Sequence, residues 1–487
     1  MARRLKEKYP GVVIVFGGAN CEAEMGIELH RQFGFVDYVC SGEGDVNFPE
    51  LVRRIFRDQP AHGLDGIIAR SNGETVVPPQ LVAPVSDLDA LPVPSYDDYF
   101  EQLRSYQLAG MFEPHIPLQT ARGCWWGAKM HCTFCGLNGG TMAFRGKSPD
   151  RVFEEISTLA QRYGTKFAVV DNILNLQYLD TLFPRIISSR INCNFFFETK
   201  VNLKKRQLQL LSAAGVTSMQ PGIESLSTPI LHSMKKGCTL LQNLQFLKWA
   251  KQYGIKSAWN LLYGFPGEDP AEYRKMARLI PSLHHLQPPE ACPRVQVVRF
   301  SPYFTRWQEY GLGPPRADRA YSYVYQLPQA ALDNLAYVFE FDHPLAESVG
   351  DYAKECLDAV TDWRNSASIA SLTMRASASD VLLLDRRKPG LAQEFMLHEP
   401  LSSIYRLCDE ATGLSQILKS LPATHQMTGE ELETALDSLV AKGLMVKEGT
   451  AYLSLAIPAA GTFPEKPGTQ PACDEDTALT PVQTLIH

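Results

Sequence analysis

The chain has 487 residues, with 47 Lys and Arg against 53 Asp and Glu, a net charge of −6. At roughly 150 residues per domain that is room for about three domains, and the balance excludes a protein that coats nucleic acid through its overall charge. Hydrophobic residues at 45% and charged residues at 21% exclude a chain that is disordered throughout, and no apolar run approaches the roughly 18 residues of a membrane span.

Met1–Tyr9 reads as a helix already under way. Strand-like runs at Gly11–Phe16 and Val36–Cys40 end in Gly17-Gly18 and Ser41-Gly42-Glu43-Gly44. A helical stretch lies between them and another covers Phe48–Arg57, which predicts a parallel sheet. Two strands are too few for a doubly wound domain, so residues 1–83 read as part of an α/β domain that is N-terminally truncated. The run Val12–Phe16 is too short for a signal-peptide core. A cytoplasmic protein is expected, with no membrane partner. Residues 84–109, rich in Pro and Asp, read as a linker.

Alternation resumes over residues 110–305. Strand candidates are His115–Ala121, Lys166–Asp171, Cys193–Glu198, Thr217–Glu224, Lys256–Tyr263 and Arg294–Phe300. Helix candidates are Pro149–Tyr163, Leu176–Ser188, Leu203–Ala214, Thr239–Tyr253 and Pro270–Leu283. Six repeats predict an α/β fold, a partial (β/α)6 barrel with its site at the C-terminal strand ends. Residues 306–379 read as a helical extension. Residues 380–457 give a hairpin, three helices (Leu401–Asp409, Leu414–Leu421, Thr428–Lys442) and a wing, and residues 458–487 a disordered tail.

The strongest local signal is Thr120–Gly139, TARGCWWGAKMHCTFCGLNG, directly after a predicted strand. Of eleven cysteines, three gather here as C-x7-C-x2-C: Cys124, Cys132 and Cys135. Clustered thiols suit metal binding before disulfides. Three on one loop suit a [4Fe–4S] cluster with one open iron. A zinc site with His131 as fourth ligand is a second reading, and unpaired buried cysteines a third. Cys292 is a candidate for the barrel mouth. Other cysteines read as small buried hydrophobes, and His284-His285 as a solvated pair. GTMAFRGKS lacks P-loop spacing.

RGCWWG, HCTFCGLNG and the later strand ends resemble the radical SAM superfamily. They are most similar to its RiPP-maturation enzymes, whose cluster loop has a widened first spacing in place of C-x3-C-x2-C. The resemblance implies that Cys124, Cys132 and Cys135 hold a [4Fe–4S] cluster and that S-adenosylmethionine (SAM) takes the fourth iron. Its reductive cleavage would give a 5′-deoxyadenosyl radical that modifies a ribosomally made precursor peptide, by methylation or another outcome. A reductant such as flavodoxin or ferredoxin is implied as partner. Phe134 would lie against the adenine. Asp171, Asn172, Glu198, Glu224 and Ser225 are cofactor candidates at strand ends, with Arg299 and Ser301 beside them, and ion pairs capping the barrel are the plainer alternative. No catalytic residue is assigned.

Residues 11–57 and the linker resemble the second half of the cobalamin-binding domain that precedes many radical SAM cores. Gly17, Gly18, Ser41 and Gly42 would approach cobalamin, although no D-x-H-x-x-G motif is present. A remnant that only packs on the barrel is the alternative. Residues 380–457 resemble a winged-helix/PqqD-like module, read as a holder for the peptide leader or as a helical cap. The alternative function is a zinc-stabilised winged-helix nucleic-acid-binding regulator. Glu430, Glu431 and Glu433 on the third helix disfavour phosphate contact, so no nucleic-acid partner is expected.

Overall fold

The computed structural model describes residues 1–81, 84–108, 110–111, 113–343, 348–422 and 427–459. The tail expected from residue 458 lies, from 460 onward, outside them. Among the described residues no helix is long and apolar enough to cross a membrane.

The N-terminal segment runs α1 (Ala2–Lys8), β1 (Val15–Phe16), α2 (Ala23–Gln32), β2 (Tyr38–Cys40), α3 (Gly44–Phe56), β3 (Ile67–Ser71) and β4 (Glu74–Val76). Its sheet has the order β1-β2-β3-β4. β1 and β2 pair in parallel, as the alternation predicts. β3 and β4 form an antiparallel hairpin that the sequence reading missed. The helix α4 (Asp97–Ser105) lies in the linker and packs Phe100 on Tyr163, ring centroids 5.1 Å apart.

The barrel region contributes β5 (Ile116–Leu118), β6 (Ala121–Arg122), α5 (Trp125–Lys129), β7 (Arg145–Gly146), α6 (Pro149–Tyr163) and β8 (Lys166–Val169). It continues with α7 (Leu182–Ser189), β9 (Asn194–Glu198), α8 (Lys205–Ala213), β10 (Val216–Gln220), α9 (Thr228–Ser233), α10 (Leu240–Gln252), β11 (Lys256–Ser257) and α11 (Pro270–Leu279). Five strands form one parallel sheet in the order β11-β10-β9-β8-β5. The sixth candidate joins only through parallel bridges, Asn260 to Ala291 and Tyr263 to Arg294. Burial alternates along β9, with Phe195 and Phe197 in the core on one face and Phe196 half-buried on the other. The helices begin where the sequence signals them. Ser148 accepts from Arg151 N ahead of α6, and Thr239 with Gln242 forms a capping box on α10.

β12 (Val297–Val298) falls within the sixth strand candidate, and α12 (Pro302–Thr305) follows it. Residues 306–379, expected as a helical extension, are less helical than that. Besides α13 (Ala320–Val324), α14 (Gln329–Leu335) and α15 (Val349–Ser366), they include β13 (Arg316–Ala317) and β14 (Val338–Glu340). With β12 these short strands pair antiparallel in the order β12-β14-β13.

The C-terminal part contains β15 (Leu372–Ala376), β16 (Val381–Asp385), β17 (Gln393–Leu397), α16 (Leu401–Leu407), β18 (Thr412–Gly413), α17 (Leu414–Ser420), α18 (Gly429–Ala441), β19 (Met445–Glu448), β20 (Ala451–Ser454) and β21 (Ile457–Pro458). The expected hairpin is β16–β17. It extends through β15 into the sheet β17-β16-β15-β21, in which β17 is an edge. The three expected helices are α16, α17 and α18. This part docks on the barrel through Asp409, whose carboxylate meets Lys205 and Lys248.

Candidate active site

The stretch from Thr120 to Lys147 is a closed lariat at the C-terminal end of β5. β6 and β7 pair antiparallel at its neck, and Cys124 N donates to Met142 O (3.2 Å). Gly123 holds φ +79, and a Cβ there would collide with the Ala143 backbone, so this turn requires glycine. Asp171, at the end of β8, anchors the lariat. Its carboxylate accepts from Thr120 N (2.7 Å) and from the Thr120 hydroxyl. Burial pushes Asp171 up to about 6 against these hydrogen bonds. Its side chain positions the loop, and both its oxygens are engaged there.

The lariat brings Cys124, Cys132 and Cys135 together, each partly exposed and within one another's electrostatic field. Gly127 N donates to Cys124 Sγ (3.3 Å), and a backbone bond from Leu137 stabilises the Cys135 thiolate. Donors aimed at sulfur suit thiolates that ligate iron–sulfur clusters. Burial otherwise pushes Cys132 up and Cys135 up to about 12.

Zinc fits these residues less well. Among the described residues no three His, Cys, Asp or Glu side chains converge as one ion requires. His131, the expected fourth ligand, bonds through Nε2 to Cys135 O (2.7 Å). The companion nucleic-acid reading also weakens. On α18 the carboxylates of Glu433 and Asp437 hold Lys447 at 2.9 Å each, so this face is acidic.

Glu224 acts on Cys132, and Glu198 lies beside Glu224 and Lys236. Burial, with Glu224 and Asp171 nearby, pushes Glu198 up to about 7. Glu224 has φ +59 and meets Lys236 Nζ at 3.4 Å. Phe134, between two of the cysteines, packs edge-on against Phe265 at 6.0 Å. Two carboxylates, a lysine and an aromatic ring beside three thiols fit a [4Fe–4S] cluster and the amino-acid and adenine parts of SAM.

Other candidates fall elsewhere. The Ser225 hydroxyl is buried, 3.7 Å from Met276 Sδ and bonded to Ser227 N; the turn at Glu224 sends it into the core. Arg299 lies over Phe304 and Phe339 and donates to carbonyls at the end of α14. Ser301 caps α12 through Phe304 N. Cys292 lies beside Arg364, 3.8 Å away, at the start of the sixth strand and not at the mouth. The expected solvated pair is split: His285 is fully buried and bonded to Leu455 O, and burial pushes it down to about 3, while His284 is half-buried beside Ser366 of α15 (3.0 Å). Lys236 and Cys238 were missed by the sequence reading. Both interact with Cys132.

The N-terminal segment faces the lariat across a cleft of about 240 Å³ lined by Glu22, Gly42, Glu43, Arg122, Asn138 and Asn172, among others. Glu43 bridges Arg122 (2.9 Å) and Arg145 (2.5 Å), and Asn172 donates to Asn138 (2.6 Å). Of the four cobalamin candidates only Gly42 lines this cleft. Ser41 spends its hydroxyl on Ala23 N (3.0 Å), Gly17 backs onto Cys40, and Gly18 borders open space. The cleft is smaller than the roughly 300–1,000 Å³ of ordinary small-molecule sites. Glu43 closes it through its ion pairs with Arg122 and Arg145.

Residues 118–280 match the Radical SAM superfamily. This segment, which carries the cysteine lariat and four of the five parallel strands, is a radical SAM domain. The chain is 28% identical over 283 residues to an uncharacterized methyltransferase of Pyrococcus horikoshii, covering 55% of this chain and 57% of that protein. Among solved structures it resembles the cobalamin-dependent radical SAM enzyme OxsB (TM-score 0.56, 14% identity, 73% of this chain and 55% of that one). It also resembles the radical SAM methyltransferase TsrM of Kitasatospora setae (TM-score 0.55, 16% identity, 73% and 72%). At these identities the structural likeness speaks for the fold. The chain spans about half the length of the curated relatives it matches.

Proposed function

We propose that this chain is a radical SAM methyltransferase acting on a ribosomally made precursor peptide in the cytoplasm. The observation that carries the radical SAM part is the closed lariat presenting Cys124, Cys132 and Cys135 to Glu198, Glu224 and Lys236 at the barrel mouth. With bound cluster and SAM, such a site supplies one-electron cleavage of a sulfonium and hence hydrogen-atom abstraction. Within it the three cysteines hold iron, Phe134 offers a flat apolar wall to adenine, and Glu198 and Glu224 take an ammonium or ribose hydroxyls. Asn172 orients the lariat through Asn138. A flavodoxin or ferredoxin is the electron donor of this reading.

Methyl transfer is supported by the methyltransferase relatives. The peptide substrate is supported by the open edge of β17, where Met396 is exposed and an extended leader would add a strand, as in a PqqD-like holder. Cobalamin is consistent with this reading, as in the cobalamin-dependent neighbours, but no step is assigned to it because Glu43 closes the cleft beside Gly42. The test is anaerobic reconstitution, then incubation with SAM, reductant and precursor peptide. Wild type is expected to release 5′-deoxyadenosine and add one methyl to the peptide, and Cys132→Ala to do neither. A peptide that loses two hydrogens would replace methylation with cross-linking. Stoichiometric zinc without iron would overturn the reading.

A further inference from the structure

The turn after α9, residues 233–238, runs along the cysteine lariat and is stapled to it. Thr133 N donates to Met234 O (3.1 Å), and its hydroxyl to Ser233 O (3.4 Å). Trp126 Nε1 donates to Lys235 O (3.1 Å). Lys200 Nζ sits 4.2 Å from the Trp126 ring centroid and donates to the carbonyls of Lys236 and Gly237. Gly237, at φ +60, leaves the space that the Trp126 ring fills, and a Cβ there would overlap it. Trp126 belongs to the seven residues between Cys124 and Cys132. The widened spacing therefore supplies the ring that fixes this turn.

The staple aims Lys236 inward. Its side chain is 12% exposed, with Glu224 Oε1 at 3.4 Å and the Phe134 ring centroid at 5.8 Å. It shares the electrostatic field of Cys132 and Cys135. Lys200 adds a second ammonium that acts on Cys124 and Cys132. Lys236 and Lys200 are the ammonium groups acting on these thiols, and Glu224, with Glu198 behind it, is the opposing charge.

We propose that Lys236, fixed by Trp126 and Lys200, is the counter-charge that sets the reduction potential of the cluster held by Cys124, Cys132 and Cys135. This rests on the radical SAM reading above. Reduction adds one electron from the donor to the [4Fe–4S]2+ core and gives [4Fe–4S]1+, with no bond made or broken and the donor oxidised by one electron. A fixed positive charge stabilises the more negative, reduced form, and net charge near a cluster is one of the levers on its potential. Glu224 acts in the opposite sense. Lys236 is thus a positioning and tuning residue.

The experiment is spectroelectrochemical titration of the full chain, reconstituted anaerobically without SAM, with iron counted in each sample. Lys236→Met is expected to disfavour reduction by about tenfold, a 59 mV negative shift for one electron. Lys236→Arg should stay near wild type, Lys200→Met should shift less in the same direction, and Glu224→Gln should shift positively. Should Lys236→Met assemble no cluster, opposite signs for Lys200→Met and Glu224→Gln would still support the proposal. Unchanged potentials in variants that hold about four irons per chain would overturn it. Wild type without iron would instead overturn the radical SAM reading.

Discussion

Glu198 is half-buried beside two further carboxylates, Glu224 and Asp171, and its desolvation with their charge lifts it to about 7. Near neutrality its carboxyl is shared between neutral and anionic forms. Only the anion holds an ammonium by charge, and its fraction grows as pH rises through about 7. The amino group of SAM itself sheds its proton at about pH 8. SAM should therefore bind the reconstituted protein about fivefold more tightly at pH 7.5 than at pH 6 and gain nothing further above pH 8, and Glu198→Gln should bind weakly with no rise between pH 6 and 7.5. Calorimetric titration reads both, and a wild-type affinity independent of pH would exclude Glu198 as the ammonium partner. Glu198 was legible in the sequence as a polar residue ending an apolar strand. Ser225 was misplaced because φ at Glu224 is +59, and a left-handed residue breaks the alternation that assigns side chains to faces. Lys236 was illegible because Lys235-Lys236 reads as a solvated pair. Only the docking of Trp126 on this turn shows that the second lysine points inward.

The lariat was the most legible element, since three cysteines after a strand define it, while its packing was not. Gly136 follows Cys135 and lies against the end of the sixth strand, where an added Cβ would collide with Arg299 O and the Val298 side chain. A backbone atom cannot swing aside, so Gly136→Ala must displace the lariat. Overpacking of this kind costs about 1–3 kcal/mol. The variant should keep wild-type helical circular dichroism but retain less iron after reconstitution than Asn172→Ala, whose side chain only braces Asn138. Equal iron in both would show that the lariat tolerates this shift. The barrel helices were legible from caps and period. Strands β13 and β14 were not, because two or three residues carry no alternation and their pairing is set by distant partners.

Across the whole molecule, charge-assisted contacts tie both flanking parts to the barrel. Glu43 and Asp45 bind Arg122 on the N-terminal side. On the other side Asp409 meets Lys205 (2.8 Å), Lys248 (2.9 Å) and Trp249 Nε1 (3.2 Å). The Lys248 side chain is 0% exposed and also donates to Asp409 O and Ser454 O. Sequence reading treated residues 380–457 as a separate module. A lysine on the barrel's α10 buried beneath that part indicates that the two unfold together. Removing one member of a buried pair strands the other charge and costs about 3–5 kcal/mol. Asp409→Ala should lose that amount in urea unfolding, and the double variant Asp409→Leu with Lys248→Met should regain most of it. Burial works to raise the Asp409 carboxyl, but Lys248 and Lys205 outweigh it and hold it below the ordinary range. A depressed carboxyl contributes stability that is fully present above its unfolded value of about 3.9. That contribution is lost as pH falls through the lower folded value. The wild-type advantage over Asp409→Ala should therefore hold at neutral pH and shrink below about pH 4. An advantage that persists unchanged in acid would assign the effect to packing around Trp249 instead of to charge.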